Sequence, residues 1–354
     1  VKALLFTDTH IGEKKYSSIE EEFKAYDFLF DQIIEAIKVN SVDMVIFLGD
    51  LVHSVNNLEL YQIIYLKSKL EEINKYAYLF ILSGNHDQHN SNKYNQINAL
   101  FSSKNTKSIQ TIYHHYFSAL NISFIFISYM QNKELIEVVE KINNSSLLSS
   151  STNFLFGHFA VFPKTSLQFS LYNAIDYDLL SNFFDKFKYV YLGHIDSVIS
   201  FKNVIYLGSV VNHNFLDAVS YSNGEFFSPQ RYMYILDIDD NAKLTPIEMK
   251  TYDNFLIIND SDYRNDSKYF ESLKAFILSH NNIYARLNVT SVDNYADIVS
   301  ELKKFSTIKS VKIETKLNKE QILTEYTAKN ISEITSIDLN KFISQYISDD
   351  ISIT

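Results

Sequence analysis

Five apolar runs of strand length each break off into a loop that presents Asp, Asn or His, and this repetition leaves the chain few architectures. Val1-Lys2-Ala3-Leu4-Leu5-Phe6 leads into Thr7-Asp8-Thr9-His10, and Val42–Leu48 into Gly49-Asp50-Leu51-Val52-His53. Tyr78–Leu82 passes through Ser83 into Gly84-Asn85-His86-Asp87. Phe154-Leu155-Phe156 ends in Gly157-His158, and Tyr189–Leu192 in Gly193-His194-Ile195-Asp196. A short, unbroken apolar run reads as a strand buried on both faces, the habit of parallel sheets. Helices separate the first three runs. Ser18 with Glu21 three residues on has the form of a capping box. Phe23, Tyr26, Phe30, Ile33, Ile34 and Ile37 then recur at helical spacing, and a second helix is predicted over 58–75. Strand–helix–strand–helix–strand with polar groups at each C-terminal end predicts an α/β sandwich that binds ligands along that edge.

From about residue 111 the pattern turns β-rich, with strands predicted at 111–117 and 122–128 and helices at 133–142 and 178–186. Strands at 198–201, 203–207, 232–238 and 243–249 read together as a second, antiparallel-leaning sheet that completes the sandwich. A cluster of Asp and Asn at 250–262 marks a change of unit. Beyond it, helix 268–279, strand 284–289, helix 294–305 and strand 308–314 form a compact α/β unit with no strand-end His/Asp loop of its own. The expected division is 1–250, 251–316 and a tail, 317–354, of two amphipathic helices at 318–329 and 338–348. That tail either packs on the chain itself or docks to a partner.

Composition narrows the class. A hydrophobic fraction of 46% with ordinary charge content describes a soluble globular chain, and no apolar run is long enough to span a bilayer. The N-terminus enters an apolar run directly, so no secretion signal is expected. With no cysteine there is neither a thiolate metal site nor a cysteine nucleophile, which suits the reducing cytoplasm taken as its location. The net charge of −10 excludes a uniformly basic nucleic-acid binder but not a local basic groove. Only Arg231, Arg264 and Arg286 carry guanidinium groups, so phosphate contacts must come from lysines, backbone amides or metal ions.

Asp8, His10, Asp50, Asn85, His86, His158, His194 and Asp196 carry the chemistry. Carboxylate, amide and imidazole ligands suit Mn²⁺, Fe²⁺, Zn²⁺ or Mg²⁺. Two such ions about 3.5–4 Å apart need a bridging carboxylate, and together they clamp a phosphate for in-line displacement. Each residue alone has a plainer reading: Asp8 and Asp50 as turn or cap residues, His158 and His194 as hydrogen-bonded histidines. The five loops in series favour the metal site. His89, His114, His115, His213 and His280 read as ordinary structural or surface histidines, and the 25 tyrosines and 27 phenylalanines as mostly core.

Asp8-x-His10, Gly49-Asp50, Gly84-Asn85-His86-Asp87, Gly157-His158 and Gly193-His194-x-Asp196 resemble the signature of the calcineurin-like metallophosphoesterases. Within that superfamily the chain most resembles the SbcD-type double-strand-break repair nucleases. His53 and the segment Tyr206-Leu207-Gly208-Ser209, followed by Asn214-Phe215, carry the narrower likeness. The resemblance implies a four-layer α-β-β-α sandwich with a small α/β capping domain and a helical C-terminal tail. It implies two metals, Mn²⁺ being the usual activator: one held by Asp8, His10, Asp50 and position 196, the other by Asp50, Asn85, His158 and His194. Asp50 would bridge, and His86 would face the phosphate without ligating. Asp87 would orient His86 by a hydrogen bond, and His53 would contact substrate or leaving group. Asp196 departs from the pattern, since the family usually has a second histidine there. Direct ligation, ligation through water and failure to reach stay open.

The expected activity is a Mn²⁺-dependent DNA exo- or endonuclease working at DNA ends in recombination and repair. It would act as a homodimer with an SbcC-type coiled-coil ATPase, and with no membrane partner. A phosphatase or phosphodiesterase acting on nucleotides or phosphoproteins is the first alternative, and a non-catalytic scaffold the second.

Overall fold

The computed structural model describes residues 1–89, 92–150, 152–239, 241–289 and 295–315. The two tail helices expected at 318–329 and 338–348, and with them the ATPase-docking segment, lie outside those residues. The described residues divide into two compact units, 1–213 with 229–253, and 214–228 with the described residues from 254 onward.

The first unit is built on two six-stranded sheets. In the first, Lys2–Phe6, Met44–Phe47, Tyr78–Leu82 and Thr106–Ile109 run parallel in that order. Helices Ile19–Asn40 and Leu60–Ile73 make the first two crossovers. Ser18 caps the first helix, its hydroxyl accepting from the Glu21 amide at 3.2 Å. Glu21 does not close the expected box; its carboxylate turns back to the amide and hydroxyl of Ser17. In the second sheet Ile122–Ile127, Thr152–His158, Tyr189–Gly193 and Val204–Tyr206 are parallel, with Ile112–Phe117 and Ile199–Phe201 antiparallel at the two edges.

The strands expected at 198–249 do not form one sheet. Ile199–Phe201 and Val204–Tyr206 extend the second sheet. Arg231–Asp237 instead pairs antiparallel with the opening strand, and Lys243–Met249 lies outside it as the edge of the first sheet. That pairing joins residues far apart in the chain, and no local pattern specifies it.

Alternation of side chains along each strand sets the layers. Leu4, Phe6, Val45, Phe47, Leu79 and Ile81 face helices Ile19–Asn40 and Leu60–Ile73. Their neighbours Leu5, Ile46, Phe80 and Leu82 face inward, against Phe124, Phe126, Phe154, Phe156 and Tyr191 of the second sheet. The outer face of that sheet, including Ile125, Leu155 and Val190, is covered by helices Asn132–Asn143 and Tyr177–Phe184. The result is a four-layer α-β-β-α sandwich. Stacked rings line its middle, Phe80 on Phe126 at 4.9 Å, Phe126 on Phe156 at 5.2 Å and Phe156 on Tyr191 at 5.6 Å. Fully buried strand interiors leave functional groups one place to emerge, the C-terminal edge.

The second unit has its own five-stranded sheet. Ala218–Ser222, Asn254–Asn259, Ile283–Val289 and Ile308–Thr315 are parallel neighbours, and Glu225–Phe227 pairs antiparallel at one edge. Leu256, Ile258, Leu273, Ile277, Leu287 and Leu302 form its core with helices Ser267–Ser279 and Tyr295–Leu302. Segment 214–228 therefore belongs to this unit, ahead of the Asp/Asn cluster that marks the change in the sequence. Among the described residues no helix is long and apolar enough to cross a membrane.

Candidate metal centre

The five strand-end loops converge. Amides of Asp8, His10 and Ile11 bond to the carbonyls of Gly49, Asp50 and Leu51 at 3.0–3.1 Å, zipping the first loop to the second. The backbone at Asp8, His10, Asp50 and His194 has φ of 57°, 45°, 55° and 81°, a left-handed conformation that costs a non-glycine residue about 1 kcal/mol or more. Close approach also demands glycine. A Cβ on Gly84 would lie 2.1 Å from Asp50 Oδ1, and one on Gly49 2.5 Å from His158 Nδ1.

Asp50 and Asp8, both buried, are held alike, one oxygen fixed by the protein and the other turned to imidazole. Asp50 Oδ1 accepts from the His86 amide at 2.9 Å, while Oδ2 faces His158 Nε2 at 3.3 Å and His10 Nε2 at 3.7 Å. Asp8 Oδ2 accepts from the Thr7 hydroxyl at 2.6 Å and the His194 amide at 3.2 Å, while Oδ1 faces His10 Nε2 at 3.7 Å. Ligating atoms of Asp8, His10 and Asp50 lie within 4.8 Å of one another, as do those of Asp50, His158 and His194. Asp50 belongs to both groups.

Asn85 joins the second group. Its Oδ1 lies 3.2 Å from His158 Nε2 and 2.8 Å from His194 Nδ1. His158 Nδ1 lies 2.6 Å from the Leu48 carbonyl, which accepts its proton, so Nε2, turned to Asn85 and Asp50, is the nitrogen that could ligate on losing its own proton.

Burial and charge oppose each other here. Burial alone would raise Asp50, but the His158 and His10 charges hold it far below the ordinary carboxylate range. Asp8 is likewise lowered, burial being outweighed by the His10 hydrogen bond and the His158 charge. Burial would lower His10 and His158, yet the facing aspartates raise each to about 9. His194 goes the other way, to about 4, through burial and the His158 charge.

These donors fit divalent cations. Two buried ionised carboxylates, an amide oxygen and imidazole nitrogens crowd together with no thiolate, a set suited to Mn²⁺, Fe²⁺, Zn²⁺ or Mg²⁺. Buried His10 Nδ1 has no hydrogen-bond partner among the described residues. Asn85 Oδ1, His158 Nε2 and His194 Nδ1 share one small space beside Asp50 Oδ2, where each could turn a lone pair to a cation.

Beside the carboxylates lies an imidazole cluster. Ring centroids separate His10 from His86 by 4.7 Å, His10 from His53 by 5.6 Å and His53 from His86 by 5.4 Å. His86 Nδ1 lies 2.5 Å from the His53 carbonyl. Burial, with the charges of His10 and His86, lowers His53 below its ordinary value. Asp87 does not make the expected hydrogen bond to His86. Its fully buried carboxylate turns inward, accepting from the Gly84 amide at 2.8 Å and the Val52 amide at 3.0 Å, and so braces the loop. Burial and the Asp50 charge push it up to about 6.

Asp196 lies at the margin, its side chain 50% exposed and Oδ1 3.6 Å from His213 Nε2. His213, read from the sequence as an ordinary histidine, is buried here with its ring 4.4 Å from that of His10. It sits in a loop without the Gly-His pattern, so no sequence signal marked it. Glu13 was also missed; Oε2 lies 3.7 Å from His213 Nδ1 and 3.2 Å from Lys15 Nζ. Burial would raise Glu13, but His213 and Lys15 hold it at about 2. The other histidines have local partners: His89 with Asn56, His114 with Ser123, His115 against Phe117 and His280 against Phe276.

Fold and donor set together define a metal-dependent phosphoesterase. The family model described as calcineurin-like phosphoesterase matches residues 1–197, more than half of the chain, and the chain belongs to that family. Two candidate donor groups, Asp8 with His10 and Asp50, and Asp50 with His158 and His194, share Asp50, a set that fits two divalent ions. Among solved structures, a dimetal phosphatase from Danio rerio is similar at 11% identity and a TM-score of 0.40, covering 70% of this chain and 98% of that one. No curated protein matches.

Proposed function

We propose that the chain is a Mn²⁺-dependent nuclease that hydrolyses phosphodiester bonds at DNA ends, as a homodimer with an SbcC-type ATPase. His53 supports the reading: it belongs to the nuclease-like motif and lies in one imidazole cluster with His10 and His86. Asp8, His10 and Asp50 would hold one cation, with Asp196 at its margin, and Asp50, Asn85, His158 and His194 the other. Bound divalent cations supply charge neutralisation to the phosphate and acidify the attacking water.

The chain's own residues do the rest. Asp50 spans both groups because its fixed Oδ1 leaves Oδ2 between His10 and His158. The His53 carbonyl accepts the Nδ1 proton of His86, so Nε2 is the nitrogen left to face the phosphate. When it too carries a proton, it can stabilise the phosphate charge or give that proton to the leaving oxygen. His53, lowered by burial, is neutral near pH 7 and serves as a hydrogen-bond partner for that oxygen.

The net charge of −10 favours a second reading, a phosphatase or phosphodiesterase with a small substrate. Comparing cleavage of single- and double-stranded DNA with that of p-nitrophenyl phosphate and its bis ester separates the two. Mn²⁺-dependent cleavage of DNA that weakens steeply with added salt supports the nuclease. Turnover of the monoester alone sinks it.

A further inference from the structure

We propose that His213 is a metal ligand, supplying beside His10 the imidazole that the chain lacks at position 196. The inference rests on the two-cation reading of the site.

Asp196 is poorly placed to do this work alone. Its side chain is half exposed, and its carbonyl is tied to the Ser209 amide at 3.0 Å and to Arg231 Nη1 at 2.7 Å. Those bonds fix the loop without carrying the short carboxylate inward. His213 arrives from the other side. Its ring stands edge-on to that of His10 at 4.4 Å, and His10, Asp196 and His213 each offer one ligand atom within 4.8 Å of the others. His10 thus belongs both to this group and to the group formed with Asp8 and Asp50.

The surroundings of His213 are those of a ligating imidazole. Nε2 faces Asp196, and Nδ1 on the opposite side faces Glu13. A carboxylate on the far nitrogen orients a ligand histidine and raises its basicity. Glu13 is itself held by Lys15, which also contacts Asp253 at 3.0 Å. The competing role is a tether, because Nε2 lies 2.7 Å from the Ser209 hydroxyl. That hydroxyl has two further acceptors within reach, the Asp8 carbonyl at 2.8 Å and the Val211 carbonyl at 3.0 Å, so it keeps partners if Nε2 turns to a cation.

The test uses the full chain with isotopically labelled histidine, loaded with NMR-active cadmium. Spin coupling between cadmium and imidazole nitrogens of His10, His158, His194 and His213 is expected. Coupling to the first three but not to His213 overturns this proposal and leaves the two-cation reading standing; no coupling to any histidine overturns both. The wild-type protein suffices, so the result does not depend on a variant folding. His213→Gln keeps a hydrogen-bonding group for Ser209. In calorimetric Mn²⁺ titrations it should weaken one site at least about tenfold, and Asp196→His in the same chain should restore it. Unchanged Mn²⁺ affinity in His213→Gln leaves His213 only the tether.

Discussion

The two halves of the candidate metal centre reach similar donor sets by different routes. Around Asn85, the histidines come from the ends of two neighbouring parallel strands, Thr152–His158 and Tyr189–Gly193, and are nearly enclosed. Around His10, only loops contribute, Asp196 is half exposed, and His213 arrives from outside any strand-end motif. Where a sheet positions ligands, adjacent registry fixes them together. Where loops position them, no strand registry sets which side chains meet.

Asp50 is common to both halves, and removing its charge tests whether they act as one. Asp50→Asn should lower phosphoester hydrolysis by at least about 10³-fold, since it removes the shared carboxylate; a smaller loss, with two Mn²⁺ still bound, breaks the idea of a shared bridge. His86→Ala belongs to neither half. It should reduce turnover by about 10²–10³-fold with Mn²⁺ stoichiometry intact, which calorimetry beside steady-state kinetics will show.

The asymmetry itself is sharpened by paired truncations. Asn85→Ala should weaken Mn²⁺ binding by about 10–100-fold and Asp196→Ala by less than about threefold. Equal losses would erase the distinction. On pH the halves should agree, because each contains one histidine raised to about 9, His10 or His158. Without metal both are protonated near neutrality, so ligation must displace protons, and Mn²⁺ affinity should rise about tenfold per pH unit between pH 6 and 8. For stability the sign reverses. A histidine raised in the folded state stabilises it fully below the unfolded value of about 6.5, and loses that contribution as pH rises through about 9. Metal-free protein should therefore melt at lower temperature at pH 9 than at pH 6.5, and calorimetric scans would detect the trend. The smallest effect on metal binding is expected from Asp87→Asn, which disturbs two backbone hydrogen bonds at a cost of about 1–3 kcal/mol in stability and leaves the candidate metal ligands in place.

Much of this was legible in the chain itself. Runs such as Tyr78–Leu82 announce buried parallel strands, and glycine before Asp50, Asn85, His158 and His194 marks sharp exits at their ends. Other features were not legible, for physical reasons. Arg231–Asp237 joins the opening strand by a pairing across most of the chain, which no local periodicity encodes. Asp87 adjoins His86 in sequence, yet the turn points its carboxylate back at Gly84 and Val52. His213 has no motif because its partners, His10 and Glu13, lie near the opposite end of the unit.

The left-handed residues at the strand ends tie the centre to the distant aromatic wall. Asp8, His10, Asp50 and His194 hold conformations a free chain would abandon, so the packed sheets beneath must keep them there. A softened wall, as in Phe126→Ala, should let these loops slacken while the sandwich still stands. Cation release would then precede unfolding, making metal retention a gauge of how well a remote interior is packed.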